Sequence, residues 1–329
     1  MKTNRSLRFP CLLLAGWMLG VPSAGAQDDD GTLVLTALPA TYSVSHALAE
    51  GTSVVVENLP ERGRRMNALL NLLNQSADRY ADTLSRADAV VTIGKLWRED
   101  PLFIAARRFN IRVVDIDATK PWSTTMEGIS VALEPRQTAP WAESDATPRE
   151  PSLHYWLSPA NGARMAEIIA ADLTRLAPDD RSTIDANLAE LRRELLGLKV
   201  EYELKFAELA DVTLFALASE FVYLSSDMGL YVDAWFVKQD IDWTETDLAA
   251  FAAYLRDNGI GVVVHKWEPD DRIRAAVDAA GARLVVLDTL EGGIVEDGRL
   301  MPGSYLELMR SNLDTLYRAL IAHNSGQTE

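Results

Sequence analysis

Residues 181–209 read RSTIDANLAELRRELLGLKVEYELKFAEL, and this stretch decides the fold. Large apolar residues recur through it at alternating steps of three and four, which is the spacing of one helical face. They are Ile184, Leu188, Leu191, Leu195, Leu198, Tyr202, Phe206 and Leu209. At 1.5 Å per residue the helix would span about 43 Å, more than the width of a small domain. We therefore predict a rigid helix that joins two halves of the chain.

The sequence on either side of this helix alternates between short β-rich apolar runs and helical patterns. Before the helix, the apolar runs lie at 32–38, 53–59, 89–93 and 111–116, and the helical patterns at 42–49, 66–86 and 101–109. After it, the apolar runs lie at 212–217, 230–236, 261–265 and 283–287, and the helical patterns at 245–257, 270–280 and 305–323. Such alternation is typical of parallel sheets covered by helices. The predicted fold class is α/β, with two Rossmann-like lobes of mostly parallel sheet joined by one long α-helix.

One part of the first half breaks this alternation. Residues 118–151 are rich in proline, threonine and acidic residues, and hold one short apolar run at 129–133. We interpret the segment as an extended surface loop around a minor strand. The predicted organisation is a signal peptide (1–26), an N-terminal α/β lobe (27–180), a linker helix (181–209) and a C-terminal α/β lobe (210–329).

The first residues have the features of a secretory signal. Basic residues at 2, 5 and 8 precede an apolar run at 9–21, and Ala24-Gly25-Ala26 offers a cleavage site after Ala26. The apolar run is too short to span a bilayer as a stable helix, and no later segment is long and apolar enough. The sequence therefore predicts an exported periplasmic protein without stable membrane insertion.

Cleavage after Ala26 changes both the cysteine content and the charge. The only cysteine, Cys11, lies in the signal, so the mature chain would have no disulfide, thiolate metal site or cysteine nucleophile. Loss of three basic residues changes the net charge from −16 to −19. This charge disfavours nucleic acid and anionic membranes as partners. It is compatible with binding a cation, although acidic surfaces also simply keep secreted proteins in solution.

Four polar residues stand where strands or loops would open into a cleft between the lobes. His154 lies in the aromatic run LHYWLSP at 153–159, and Glu220 follows the strand 212–217; His265 and Asp288 end later strands. Imidazole and carboxylate together suit a divalent transition metal. Each residue also has a plainer interpretation: a histidine packed against Trp156, a helix cap at Glu220, an edge residue at His265 and a turn residue at Asp288.

Motifs of common enzyme classes are absent from the sequence. It holds no G-x-S-x-G elbow, no Walker-type phosphate loop and no H-E-x-x-H helix. A chain that is not an enzyme is the favoured interpretation. The rival interpretation is an exported α/β enzyme that uses His154 or His265 with Asp288 as acid and base.

Several of these segments resemble one known family. His154-Tyr155-Trp156-Leu157-Ser158-Pro159, followed by Asn161 and a helix, is similar to the metal-binding His-x-Trp-Leu-x-Pro segment of the zinc, manganese and iron solute-binding proteins of metal ABC transporters. Ala218-Ser219-Glu220, Gly229-Leu230 and Val286-Leu287-Asp288 are further matches. The resemblance implies that His154, Glu220 and Asp288 bind the metal.

The chain departs from this family at two positions. Where the family has a histidine four residues after a glycine, Gly63 is followed by Asn67, whose amide oxygen can ligate a cation. Where the family often shows a cleft-facing glutamate, this chain has His265. We expect Asn67 or His265 to complete four-coordination.

The resemblance implies a periplasmic protein that binds zinc, manganese or iron as cargo and delivers it to an inner-membrane ABC permease. We expect it to be a monomer. The alternative keeps the fold and changes the cargo. Arg64 and Arg65 beside Asn67 suit an anionic complex better than a bare cation. In that case the protein would bind a chelated metal or act as a periplasmic metallochaperone.

Overall fold

The computed structural model describes residues 31–143 and 147–326. The predicted signal peptide, its cleavage site and Cys11 lie outside the described residues. Within the described part of the chain, no helix is long and apolar enough to cross a membrane.

The first lobe is built on four parallel strands in the order β2-β1-β3-β4. Its elements are β1 (Leu33–Thr36), α1 (Pro39–Ala49), β2 (Val55–Asn58), α2 (Met66–Ser76), α3 (Ala81–Arg86), β3 (Ala89–Thr92), α4 (Pro101–Phe109), β4 (Val114–Asp117) and α5 (Pro159–Leu176). Both β1 and β3 are buried along their whole length. Strands covered on both faces need continuous apolar runs, which explains the predicted sequence pattern.

The second lobe repeats this arrangement with the strand order β6-β5-β7-β8, again all parallel. Its elements are β5 (Thr213–Ala216), α7 (Val222–Asp227), β6 (Tyr231–Trp235), α8 (Glu245–Asp257), β7 (Val262–His265), α9 (Asp271–Ala279), β8 (Arg283–Val286), β9 (Val295–Glu296), β10 (Arg299–Leu300) and α10 (Ser304–Gly326). The short strands β9 and β10 form an antiparallel hairpin apart from the sheet. The predicted class, two lobes of parallel sheet, is confirmed.

The long helix α6 (Arg181–Ala207) lies between the two lobes in the chain and packs against α5, α1 and α10. Its buried residues repeat the predicted apolar seam: they are Ile184, Leu191, Leu195, Leu198, Tyr202 and Phe206. Since α1 belongs to the first lobe and α10 to the second, one face of α6 supports both. Burial of such large side chains contributes about 1.5–3 kcal/mol each.

Two predicted elements are wrong in detail. The helical pattern at 66–86 is broken into α2, a short 3₁₀ turn (Ala77–Tyr80) and α3. The predicted minor strand at 129–133 is not a strand, because only Leu133 forms a β-bridge, to Pro151. In the described chain, the backbone on either side of this bridge makes only two hydrogen bonds to residues 150–152, from Glu134 N to the Glu150 carbonyl and from Ser152 N to the Ala132 carbonyl. Ala132 N donates to the Tyr223 hydroxyl at 3.1 Å, so a side chain takes the place of a further strand pairing.

The segment after this bridge crosses to the second lobe. The Gln137 side-chain amide and the backbone of Val237 exchange two hydrogen bonds of 2.6 and 2.8 Å. Trp141 then enters an aromatic cluster of the second lobe, where its ring stacks on Phe215 at 6.1 Å. Residues 133–142 therefore form a strap that ties the first half of the chain to the second sheet.

Truncation of the buried face of α6 should destabilise the protein. Leu195 is fully buried on α6, whereas its neighbour Leu196 is 37% exposed. We expect Leu195→Ala to lower the free energy of unfolding by at least about 2 kcal/mol, because it leaves a cavity between packed helices. Leu196→Ala should cost less than about 1 kcal/mol. Chemical denaturation of both variants measures the difference, and equal losses would show that this face does not support the lobes.

Candidate functional site

Loops from both lobes meet beside the carboxyl ends of the strands. The backbone N–H of Leu300 donates to the carbonyl of Glu61 at 2.7 Å, which joins the second-lobe hairpin to the loop after β2. The indole Nε1 of Trp156 donates to the carbonyl of Thr289, in the loop after β8, at 2.9 Å. This junction lies where ligands bind in open parallel sheets.

His154 is held in this junction by the aromatic run that follows it. A short 3₁₀ turn (Tyr155–Leu157) separates it from α5, and the imidazole packs edge-on against the Trp156 ring at 5.3 Å. The Tyr305 hydroxyl donates to the Trp156 carbonyl at 2.7 Å, and Ser158 Oγ caps α5. His154 itself is only 8% exposed. The predicted ligand is therefore fixed in orientation by both lobes.

The imidazole of His154 contacts a carboxylate from the opposite lobe. His154 Nε2 lies 2.6 Å from Glu291 Oε1, and Glu291 Oε2 accepts from the backbone N–H of Met66 at 3.1 Å. Burial raises the pKa of Glu291, but the hydrogen bond and charge of His154, the Met66 N–H and nearby Arg65 together bring it below its usual value. Glu291 is thus a carboxylate that bridges the lobes, while the buried His154 Nδ1 has no partner among the described residues.

Sequence reasoning missed Glu291. It stands three residues beyond Asp288, the residue that was predicted because it ends a strand. Leu290 adopts a positive φ of 61°, which turns the chain and brings Glu291 back into the junction. A non-glycine residue rarely takes this conformation, so the turn was not predictable from residue type. The pair Gly292-Gly293 directly afterwards was the available signal of an irregular loop.

Asp288 and Asn67 are close in the chain to Glu291 and Met66, but their side chains take no part in this contact. Asp288 Oδ1 accepts from Leu290 N at 2.6 Å, and the Asn312 side chain bonds both the N–H and the carbonyl of Asp288. The Asp288 side chain is exposed and shapes the turn that carries Glu291. Asn67 is exposed in the first turn of α2, next to Met66. We call His154, Glu291, Asp288 and Asn67 the junction group.

Glu220 and His265 lie in a second cluster. Glu220 Oε1 accepts from Lys266 Nζ, and the Lys266 ammonium also lies 4.7 Å from the centre of the Trp267 ring. The other oxygen, Glu220 Oε2, is buried and has no partner among the described residues. The charge of this predicted ligand is therefore balanced by an ammonium group.

His265 is 2% exposed at the end of β7. Its Nε2 lies 3.8 Å from Asp240 Oδ1, and its ring lies 4.9 Å from Trp267. Burial lowers the pKa of His265, and the charge of Asp240 opposes this only in part. His265 is therefore a neutral imidazole near neutral pH, and its buried Nδ1 has no partner within the described chain. We call Glu220, Lys266, His265 and Asp240 the lysine group.

The five predicted ligands are thus divided between two groups. In residues 31–143 and 147–326, no three or more His, Cys, Asp or Glu side chains are placed to hold a metal ion together. Neither His154 nor His265 is bonded to Asp288, the acid–base arrangement that a catalytic hypothesis would need. The junction group nevertheless offers an imidazole and a carboxylate in contact, which are the donor types that transition metals prefer.

Comparison with known proteins gives one family and several relatives. The family model described as zinc-uptake complex component A, periplasmic (ZnuA) matches residues 36–319. The zinc-binding protein AdcA of Streptococcus pyogenes serotype M6 is 25% identical over 165 residues, which are 50% of this chain and 32% of that protein. The high-affinity zinc uptake system protein ZnuA of Bacillus subtilis is 25% identical over 170 residues, which are 51% of this chain and 53% of that protein. These matches span about a third and about half of the two relatives' lengths.

A solved structure shows the same fold. FpvC from Pseudomonas aeruginosa, in complex with Mn²⁺, aligns with a TM-score of 0.62 at 17% identity, covering 89% of this chain and 99% of that chain. The likeness therefore extends through both lobes and the helix between them.

Proposed function

The chain belongs to the family of periplasmic zinc-uptake complex component A proteins, and on this basis we propose that it is the substrate-binding protein of a metal ABC importer. It binds a divalent transition metal between its lobes as cargo and delivers it to an inner-membrane permease. Two relatives are named for zinc binding or uptake, and the FpvC structure contains Mn²⁺. Cleavage after Ala26 and release into the periplasm belong to the same proposal.

The contact between His154 and Glu291 carries the proposal. It joins one nitrogen and one oxygen donor from opposite lobes, at the junction beside the strand ends. Bonds from zinc to such atoms are about 2.0–2.2 Å long, so two ligands of one ion stand farther apart than the observed 2.6 Å. Metal entry must therefore open this contact. We propose that the exposed donors Asp288 and Asn67, which are close in the chain to Glu291 and Met66, complete the coordination.

The lysine group supplies the remaining predicted donors. Glu220 already has the Lys266 ammonium as its counter-ion, so a divalent cation that takes this carboxylate as a ligand competes with Lys266 for its charge. His265 stands next to Lys266 in the chain and offers a neutral imidazole. We propose that binding draws the two groups together by a small movement of the loops, since α6 limits larger hinge motion.

Calorimetry on the mature, chelator-stripped protein tests this function. Titration with zinc, manganese, iron(II) and copper should show one ion per chain, with a Kd below about 1 μM for at least one of zinc, manganese and iron. Zinc should bind more tightly than manganese, as expected for donors of this type. A protein that binds none of these ions more tightly than about 1 μM would not be a carrier of bare metal ions.

A further inference from the structure

An open cavity of about 630 Å³ lies on the first lobe, lined mainly by the segment 56–64 that precedes α2. Its walls are the end of β2 and the loop after it, with Tyr42 from α1 and Tyr80 from the turn before α3. The second-lobe hairpin adds Arg299 and closes one side, because Leu300 N donates to the Glu61 carbonyl. This volume suits a small organic molecule and is far larger than a single inorganic anion needs.

The charges around this cavity favour an anion. Arg62, Arg64 and Arg299 line it, together with the carboxylates of Glu57 and Glu61. Arg299 lies 3.9 Å from Glu61, but in the described part of the chain neither Arg62 nor Arg64 has a carboxylate within ion-pair distance. The cavity therefore keeps two uncommitted guanidinium groups in a chain whose net charge is −16.

The backbone next to the arginines adds to this preference. Helix α2 begins at Met66, directly after Arg64 and Arg65, and has no acidic residue in its first turn. The N-terminus of a helix carries partial positive charge. The junction already uses this property, because the Glu291 carboxylate accepts from Met66 N. The Glu291 carboxylate is thus bound at Met66, one end of the stretch 62–66. The unpaired Arg62 and Arg64 line the cavity at the other end.

We propose that this cavity binds a small organic anion with two or more carboxylate groups, held by Arg62 and Arg64. Each planar guanidinium donates two parallel hydrogen bonds to a carboxylate, and the rings of Tyr42 and Tyr80 pack against the carbon skeleton. Such an anion is itself a chelator of divalent metals. The inference goes beyond the proposed function, since the cavity can be occupied without any metal at the junction group.

Calorimetry with metal-free citrate tests the inference. The mature chain, stripped of metal, should bind citrate with a Kd below about 1 mM and inorganic phosphate at least about tenfold more weakly. In the double variant Arg62→Gln/Arg64→Gln, the citrate affinity should fall at least about tenfold. Since no metal is present, the result is independent of the metal-binding function.

The matched control is Arg98→Gln/Arg112→Gln, which removes the same charge from two exposed arginines that do not line the cavity. It should bind citrate like the parent, and thermal unfolding should show that all three proteins are folded. Absence of citrate binding, equal loss in the control, or phosphate binding as tight as citrate would each overturn the inference.

Discussion

Replacement of His154 by alanine is expected to weaken metal binding at least about 100-fold. His154 is the one imidazole of the junction group, and both lobes fix its ring in place through Trp156. Loss of a residue that merely supports a ligand already costs about 10–100-fold in metal affinity, so loss of a ligand should cost more. Calorimetric titration of the chelator-stripped variant with zinc and manganese measures the change.

The chain offers a matched control for this variant. His46 lies on α1, where its ring contacts Tyr42 at 5.8 Å, and it belongs to neither donor group. His46→Ala removes the same side chain and should leave metal affinity within about twofold of the parent. If His154→Ala, folded by circular dichroism, binds metal as tightly as His46→Ala, then His154 is not a ligand.

Replacement of Lys266 by methionine should destabilise the metal-free protein and strengthen its response to metal. Lys266 provides the only cation that pairs with Glu220 among the described residues, and the Glu220 side chain is 12% exposed. Removal of one partner of a buried ion pair costs about 3–5 kcal/mol, because the other charge stays buried without compensation. Methionine is nearly as long as lysine, and its thioether replaces the ammonium with an uncharged group that packs well against an aromatic ring such as Trp267.

The metal should then take over the role of the ammonium. A ligand that binds only the folded state stabilises it more the more tightly it binds, so the variant should gain more thermal stability from zinc than the parent does. Its zinc affinity should rise at least about tenfold, since metal and ammonium no longer compete for one carboxylate. Differential scanning calorimetry with and without zinc measures the gain.

Lys238→Met is the control for this second variant. It removes another lysine of the second lobe, which pairs with Asp247 at 2.9 Å and belongs to neither donor group. It should change neither the stabilisation by zinc nor the zinc affinity. If Lys266→Met loses stability and zinc restores no more than it does in Lys238→Met, then Glu220 stays paired within its own lobe and is not a ligand.

The fold was predictable because local patterns determine it. The alternating steps of three and four in residues 181–209 require one apolar helical face, and the structure buries that face in α6. The continuous apolar runs at β1 and β3 follow from burial on both sides of a sheet. The errors lie at 66–86 and 129–133, where a 3₁₀ turn and a hydrogen bond from Ala132 to Tyr223 overrode the local pattern.

The candidate site was less predictable because it depends on contacts between distant residues. His154 was identified from the motif around it, but its partner Glu291 is 137 positions away and reaches it through the positive φ of Leu290. Likewise, Lys266 meets Glu220 because β7 lies beside β5 in the sheet. Sequence spacing gives no information on such pairs, so the full ligand set stays a prediction.

Anomalous X-ray diffraction at the zinc edge, from crystals of the zinc-loaded mature protein, tests the central claim most directly. We expect one strong peak between the lobes, about 2.0–2.2 Å from His154 Nε2 and from a carboxylate oxygen of Glu291. Oxygen atoms of Asp288 or Asn67, or donors from the lysine group, should complete the coordination. A peak between the lobes without His154, or peaks on the outer surface alone, would contradict a metal site at this junction.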